Sequence, residues 1–501
     1  MRQVEIERKF AIEQGAPLPG LGGVVGIGPA REHRMRAVYL DTQDLLLVRH
    51  RITLRRREGG GDEGWHLKLP RPDGSRLEVH APLEEGPGRF RVPEGHLAEV
   101  VAALGEEWPQ VPASALLPAA VLSTHRVEVD LLHDETGEVL AQLCDDSVTV
   151  LPSGESWREV EVELVEGDEE LLARVAQAFE EQGLAVATSP SKLARALGDR
   201  PERAAAGEGP GPDSPAREVL HAYLAEQVAG ILGREADVRV DAPDSVHKTR
   251  VATRRLRSAL RTFRRLLDRE VTDPLRDEVK WFAGVLGEPR DAEVMKELIT
   301  GLLDDLDPEQ VVGPVRERVG GELDRRHAQA HAALVEVLDS DRYRALTDRL
   351  VELLAAPPWR GRAHRRAGKV LPDLVAGAVE RARREWEAAD EAEGEERLHL
   401  LHETRKRAKA VRYAAEALAP AFGDDAKEAA ETWENVTERL GGLQDAVVAS
   451  QWIRELAAVA EEAGESTFTY GVLVGEEQVG GLHATTEGEQ AVEAALDHPW
   501  P

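Results

Sequence analysis

The sequence predicts two folds in series: an α+β N-terminal half built around an antiparallel β-barrel, and an all-α C-terminal half made of a duplicated helical bundle. Three observations carry this. Before residue 200 the apolar residues alternate by twos, as in strands, whereas beyond it they recur with the 3.6-residue period of helices. Between the two textures, residues 199–215 (DRPERAAAGEGPGPDSP) have a linker's Gly, Pro and Ala content and no apolar period. At 501 residues the chain is also too long for one ordinary core. The expected division is therefore 1–200, a linker over 201–215, a helical domain over 216–470 in two repeats meeting near residue 340, and a tail over 471–501.

Taken in order, Val4 to Phe10, Ile52 to Arg57, Trp65 to Leu69, Arg126 to Leu131 and Trp157 to Leu164 read as strands, joined by Gly and Pro turns such as Glu58 to Gly64. Helical patterns near Leu97 to Leu104 and Glu169 to Gln182 make this half α+β rather than pure β. The second half consists of long segments rich in Ala, Leu, Glu and Arg. From Thr467 the chain is Gly-rich, and at most a short helix is expected there, near Glu487 to Leu496.

The composition, 42% hydrophobic, is globular, and no apolar run approaches the roughly 20 residues of a membrane span. The N-terminus, MRQVEIERKF, enters a strand pattern directly and lacks the features of a secretory signal. The single cysteine, Cys144, has no disulfide or metal-site partner. A cytoplasmic location is expected. The net charge of −30 would ordinarily oppose a polyanionic partner. However, from His247 to Arg265 there are eight Lys or Arg residues and no Asp or Glu, so local and global charge have opposite signs.

The strands carry a second pattern. In VEIERKF, Glu5, Glu7 and Lys9 share a face opposite Val4, Ile6 and Phe10. Taken singly, this is most simply a solvated face. The same alternation recurs in Thr53, Arg55 and Arg57, in His66 and Lys68, in Arg126, Glu128 and Asp130, and in Glu159, Glu161 and Glu163, each strand keeping an apolar face. A barrel with a charged interior accounts for the recurrence. Such an interior must hold counter-ions, water or a charged ligand. Arginine and lysine on several walls suit phosphates, and carboxylates suit a hard divalent cation, Mg²⁺ or Mn²⁺. Tripolyphosphate with a metal satisfies both.

Glu5-Ile6-Glu7-Arg8-Lys9 resembles the ExExK signature of the CYTH superfamily, the triphosphate tunnel metalloenzymes. Further matches follow in order: Tyr39-Leu40-Asp41-Thr42, the run through Arg57, Trp65-His66-Leu67-Lys68, Arg126, Glu159 to Glu163, and Ser191-Lys192-Leu193 before Arg195. The resemblance covers roughly residues 1 to 200. It implies metal binding by Glu5, Glu7 and members of Glu159, Glu161 and Glu163, with Glu161 and Glu163 favoured. It implies triphosphate binding by Lys9, Arg55, Arg57, Lys68, Arg126 and Lys192. A further acidic residue is implied at Asp145 or Asp146, of which only one can face inward; Asp145 is carried as the metal candidate. Glu5, Glu7 and Lys9 are the catalytic candidates, Lys9 acting on the attacking water or the developing charge. The class it suggests is metal-assisted hydrolysis. No Gly-rich Lys-Ser/Thr phosphate loop is present.

In the helical half, His247, Arg250, Arg254, Arg257, Arg261 and Arg264 follow at spacings of three and four, which makes one basic stripe opposite Ala252, Leu256, Leu260 and Phe263. A second copy places His402, Arg405, Lys406, Lys409, Arg412 and Tyr413 on one side of another helix. His247 and His402 stand 155 residues apart, and Leu286-Gly287 with Arg290-Asp291 answers Leu440-Gly441 with Gln444-Asp445 at 154. An exposed face with acidic neighbours is the plainer reading of such a stripe. Acid is nearly absent within it, and a bound polyanion gives a reason for like charges at every turn. The HxxRVxxRRLR text resembles the CHAD domain, the conserved-histidine α-helical domain, over about residues 215 to 470, which implies binding of inorganic polyphosphate and an association with polyphosphate granules. Nucleic acid is disfavoured, because the only aromatic of the first stripe, Phe263, lies on its core side. The expected function is therefore a metal-dependent triphosphatase acting on inorganic tripolyphosphate or a related triphosphate. The alternatives are a non-catalytic polyphosphate-binding protein and, third, an adenylate cyclase, for which no nucleobase pocket can be read.

Overall fold

The computed structural model describes residues 2–72, 75–85, 88–108, 116–205, 209–497 and 500. The chain divides into two compact units, Met1–Glu208 with Asp348–Pro357 and Gly209–Thr347 with Pro358–Pro501.

The first unit is built on ten strands: β1 (Arg2–Glu5), β2 (Glu7–Ile12), β3 (Gly26–Asp41), β4 (Thr53–Glu58), β5 (Gly64–Pro70), β6 (Arg76–Ala81), β7 (Leu117–Leu132), β8 (Val139–Leu151), β9 (Ser156–Leu164) and β10 (Ala185–Val186). They form one antiparallel sheet in the order β1-β6-β5-β4-β3-β7-β8-β9-β2-β10. The expected closed barrel is therefore corrected to an open sheet. The physical reason lies at Ile6. The strand expected over Val4 to Phe10 breaks there, so that β1 pairs with β6 and β2 pairs with β9 at opposite ends of the ladder. One residue separates two segments that belong to distant parts of the sheet, so the sheet must curl back on itself without its ladder closing.

The convex apolar face carries α3 (Glu169–Glu181), after the short α1 (Leu46–Arg49) and α2 (Glu94–Leu104). Asp168 caps α3 by accepting from the Leu171 amide at 2.9 Å. Val175 and Phe179 of α3 pack on Phe10, Val160 and Val162, the inward-alternating apolar residues of β2 and β9, with Phe10 and Phe179 edge to face at 4.9 Å. A second core joins Tyr39, Leu122, Val148 and Trp157 to Leu193 and Leu197 of α4 (Lys192–Leu197). Beyond it α5 (Arg200–Ala205) lies in the stretch expected to be linker, which corrects that stretch in part.

The second unit is helical: α6 (Ala216–Leu232), α7 (Glu235–Arg239), α8 (Ser245–Thr262), α9 (Arg269–Val285), α10 (Gly287–Asp305), α11 (Val315–Leu338), α12 (Asp341–Ala355), α13 (Ala367–Glu391), α14 (Gly394–Phe422), α15 (Asp424–Glu462) and α16 (Phe468–Asp497), α12 running across the division between the units. The short helix expected near the C-terminus is in fact the 30-residue α16, whose Tyr470 and Leu473 are buried among Ile453, Leu456 and Ile299. Packing overrides the poor helix propensity of its glycines. No helix among the described residues is long and apolar enough to cross a membrane.

Candidate functional site

The concave face of the sheet encloses a cavity of about 670 Å³ lined from β1 through β9. Lys9, Arg55, Arg57, Lys68, Arg126 and Lys192 all line it, with Glu5, Glu161 and Glu163. Lys192 is held there because Ser191 caps α4, accepting from the Ala194 amide at 3.0 Å, while Leu193 and Leu197 are fixed in the core.

One wall is neutralised internally. Arg126 on β7 makes a two-pronged contact with Asp146 on β8, both distances 2.7 Å, and reaches Glu161 at 3.0 Å. Lys192 contacts Asp146 at 3.0 Å, Glu159 at 2.9 Å and Glu161 at 2.6 Å. Lys9 is paired with Glu161 and lies 3.1 Å from Glu7. Burial opposes charge on Lys9 and Lys192, yet the surrounding carboxylates hold both above the ordinary lysine range. Asp146, not Asp145, is the inward aspartate: it stands opposite Arg126 and Glu159 in the ladder, whereas Asp145 points to the other face and binds Arg158 at 2.7 Å.

Two regions are left out of balance, with opposite signs. Arg57 is pushed down to about 9, first by burial and then by the like charges of Arg55 and Arg126. Arg55 donates to the Tyr39 hydroxyl at 3.4 Å. Arg57 is paired with Asp62, whereas Arg55 makes no ion pair among the described residues. Across the cavity, Lys68 binds Glu5 at 2.5 Å, but Glu163, facing Glu7 in the ladder, makes no hydrogen bond or ion pair among the described residues. Glu163 is pushed up to about 7, first by burial and then by Glu5, with Glu7 and Glu78 adding to it against Lys68. Here negative charge lacks a partner. No preformed cluster of three metal-ligating side chains exists among the described residues. The donor set nevertheless fits a hard divalent cation, which would relieve the repulsion among Glu5, Glu7, Glu78 and Glu163. Glu161, already matched by three cations, has less need of one.

Sequence reasoning passed over Glu78 and Tyr39 as site residues. Glu78 accepts from His66 Nδ1 at 2.7 Å and shares a cavity-facing alternation with Arg76 and His80, a signal present in RLEVHA. In the matched run Tyr39 to Thr42, Asp41 has a structural part. It is fully buried and accepts from the amides of Thr42, Leu47 and Val48 at 2.7 to 3.0 Å, which shapes the turn into α1.

In the helical unit the two basic helices pack together. Arg255 of α8 lies over the Tyr413 ring of α14 and reaches Glu416 at 2.8 Å. Around this contact, Arg250 and Arg254 of α8 and Arg405 of α14 crowd Lys409, whose ammonium is pushed down to about 7, first by burial and then by those guanidiniums. His247 and His402 are both lowered, by burial and then by nearby cations. Arg257 and Arg261 continue the row, with Arg276 of α9, Arg407 of α14 and Arg381 of α13 joining the charge at that end. Arg254, Arg257, Arg261 and Lys409 make no ion pair among the described residues. Two members of the expected second stripe are instead engaged: Lys406 with Glu403 at 2.7 Å, and Arg412 with Glu416 and Glu434. The side chain of Gln444 lies outside the described residues.

A curled sheet with a charged concave face, joined to a helical unit with a basic cradle, defines a chain made of a CYTH domain followed by a CHAD domain. Residues 3–197 match the CYTH domain and residues 222–454 the CHAD domain, and the chain belongs to the proteins that combine them. It is 36% identical over 502 residues, 95% of this chain and 93% of the relative, to Uncharacterized protein MT2285 of Mycobacterium tuberculosis (strain CDC 1551 / Oshkosh). The same identity and coverage hold for Uncharacterized protein Rv2226 of Mycobacterium tuberculosis (strain ATCC 25618 / H37Rv). Among solved structures it is similar to PptA from Streptomyces chartreusis (21% identity, TM-score 0.47, 56% of this chain and 100% of that one). It is also similar to the CHAD domain from the plant Ricinus communis (22%, TM-score 0.45, 58% and 95%). A third is a putative adenylyl cyclase from Hippeastrum described as having a dominant triphosphatase activity (16%, TM-score 0.23, 39% and 94%).

Proposed function

We propose that the chain is a metal-dependent triphosphatase, cleaving a phosphoanhydride bond of inorganic tripolyphosphate or a related triphosphate in the CYTH cavity, while the CHAD cradle binds polyphosphate. The observation that carries this reading is the pair of opposite charge imbalances inside one cavity. Arg55 makes no ion pair among the described residues and stands beside the like charges of Arg57 and Arg126, while Glu163 makes none either and is crowded by Glu5, Glu7 and Glu78. A triphosphate with a divalent ion answers both at once.

In this reading the guanidiniums of Arg55, Arg57 and Arg126 and the ammonium of Lys68 grip phosphate oxygens and fix the chain for in-line attack. Glu5, Glu7 and Glu163, with Glu78, would hold Mg²⁺ or Mn²⁺, which supplies charge neutralisation and activation of a bound water. Lys9, kept protonated by Glu161 and Glu7, cannot serve as a base; it stabilises negative charge that develops on the phosphoryl oxygens. Membership of the CYTH family, which includes triphosphatases and cyclases, supports an enzyme. Tyr39 is the only aromatic carbocycle lining the cavity among the described residues, which argues against a nucleobase pocket.

The competing reading is a polyphosphate-binding protein without turnover. It is favoured by the internal neutralisation of Lys9, Arg126 and Lys192, which leaves fewer free cations than a triphosphate could use. Phosphate release from tripolyphosphate, thiamine triphosphate, ATP and long-chain polyphosphate, with Mg²⁺ or Mn²⁺, separates the two. Turnover lost in Glu5→Gln/Glu7→Gln supports the enzyme, whereas no turnover in wild type with polyphosphate still bound establishes the binder.

A further inference from the structure

The two halves of the cradle repeat one arrangement in detail. In the first copy Arg250 lies against Gly287, its Nε 3.7 Å from where a Cβ would stand, and its Nη2 is 3.5 Å from Asp291 Oδ1. In the second, Arg405 lies against Gly441 and its Nη1 is 3.6 Å from Asp445 Oδ1. Each arginine thus lies against a glycine and faces the aspartate four residues beyond that glycine, the approach being too close for a Cβ only at Gly441. Both arginines act on the same ammonium, Lys409, as does Asp445.

These are not orienting clamps. The aspartate that orients Arg126 in the other unit does so through two contacts of 2.7 Å. The cradle pairs are single, long and outside hydrogen-bonding distance. Arg405 is oriented from elsewhere, its Nε donating to the Thr437 carbonyl at 3.1 Å. Asp291 and Asp445 are themselves 54% and 59% exposed, so either can turn into solvent. A carboxylate loosely facing a guanidinium at the mouth of a basic cradle has the properties of a removable counter-ion.

We propose that Asp291 and Asp445 are built-in competitors for the phosphate sites on Arg250 and Arg405, so that only a polyanion engaging the rest of the cradle recovers the cost of displacing them both. The inference rests on the reading of the cradle as a polyphosphate site. A short anion reaching one arginine displaces one aspartate and recovers little, because the rest of the cradle is not engaged. A chain spanning both copies displaces both while also binding Arg254, Arg257, Arg261 and Lys409. The aspartates therefore lower the affinity of the short anion once and of the chain twice, and the chain offsets this through its further contacts.

The test compares the full chain with its Asp291→Asn/Asp445→Asn variant, measuring affinity for pyrophosphate and for long-chain polyphosphate without divalent ions and across a salt series. Both substitutions lie outside the CYTH unit, so any binding there cancels in the comparison. Pyrophosphate affinity should rise about two- to fivefold, and long-chain affinity, with both competitors removed, about four- to twenty-fivefold. The long-chain salt dependence should steepen, because arginines freed of internal partners hold solution anions that the ligand then releases. Lower affinity at both lengths would make the aspartates positioning groups and overturn the inference, as would a long-chain gain no larger than that of pyrophosphate. If the wild type binds neither ligand, the polyphosphate reading itself falls, and the inference with it.

Discussion

Lys192 is where the internal charges of the CYTH cavity converge: its ammonium alone meets Asp146, Glu159 and Glu161, and its side chain is only 8% exposed. Replacing it with Met would leave three buried carboxylates short of a partner, and a broken buried pair costs about 3–5 kcal/mol. Denaturant unfolding of Lys192→Met should show that loss, with Lys192→Arg recovering part of it. In the other unit Lys409 gives a pH signature. Its native value of about 7 lies below the ordinary 10.5, so between these values the unfolded chain holds more protons and stability rises with pH. Binding runs the other way. A polyanion favours the charged ammonium, so binding takes up a proton and affinity falls as pH rises through about 7. Titrations of polyphosphate at increasing pH should show this, and Lys409→Arg, charged throughout, should flatten it. At this scale the sequence showed which residues share a face, since the period of a strand decides it. It could not show that Asp146 rather than Asp145 turns inward, because that depends on the register of β8 against β7 and β9.

Elements set which of these groups can meet. Leu286-Gly287 and Leu440-Gly441 occupy matched places in the repeat, yet the first lies at the junction of α9 and α10 and the second inside the continuous α15. Their glycines differ accordingly. A Cβ at Gly441 would stand 2.6 Å from Arg405 Nη2, whereas at Gly287 the nearest atom is 3.7 Å away. Gly441→Ala should therefore expel the Arg405 guanidinium and weaken polyphosphate binding several-fold. Stability should change by no more than about 1 kcal/mol, because alanine improves the helix while a flexible side chain moves. Gly287→Ala should leave binding near wild type; melting curves and binding isotherms on both variants check the contrast. The strands read from the sequence were those with clean alternation. β3, β6, β8 and β10 escaped: β3 begins with GIGP and slips register between Ile27 and Ala30, β8 mixes Gln142, Asp145, Asp146 and Ser147 among its apolar residues, and β6 and β10 are six and two residues long. The break at Ile6 was invisible for a different reason, since both sides of it keep strand character and only the pairing partners change.

For the whole molecule, the change of apolar period near residue 200 was enough to separate strand from helix, because it depends on composition over long windows rather than on any contact. Openness of the sheet was not readable in this way, since alternation is the same in a closed barrel and in a curled ladder. In the proposed reading the two sites differ in kind: the CYTH cavity would take a divalent ion, whereas the cradle, in which Arg254, Arg257, Arg261 and Lys409 make no ion pair among the described residues, would need none. Chelation and salt should therefore separate them. Removing divalent ions with EDTA should abolish phosphate release from tripolyphosphate while leaving long-chain polyphosphate bound. Raising salt should act mainly on the cradle. With about seven cations from His247 to Lys409 engaged, affinity for the long chain should fall by about a thousandfold for a fourfold rise in salt. Turnover in the enclosed cavity, where ion pairs are less screened, should fall far less. Equal loss of both activities under either treatment would mean that one site performs both.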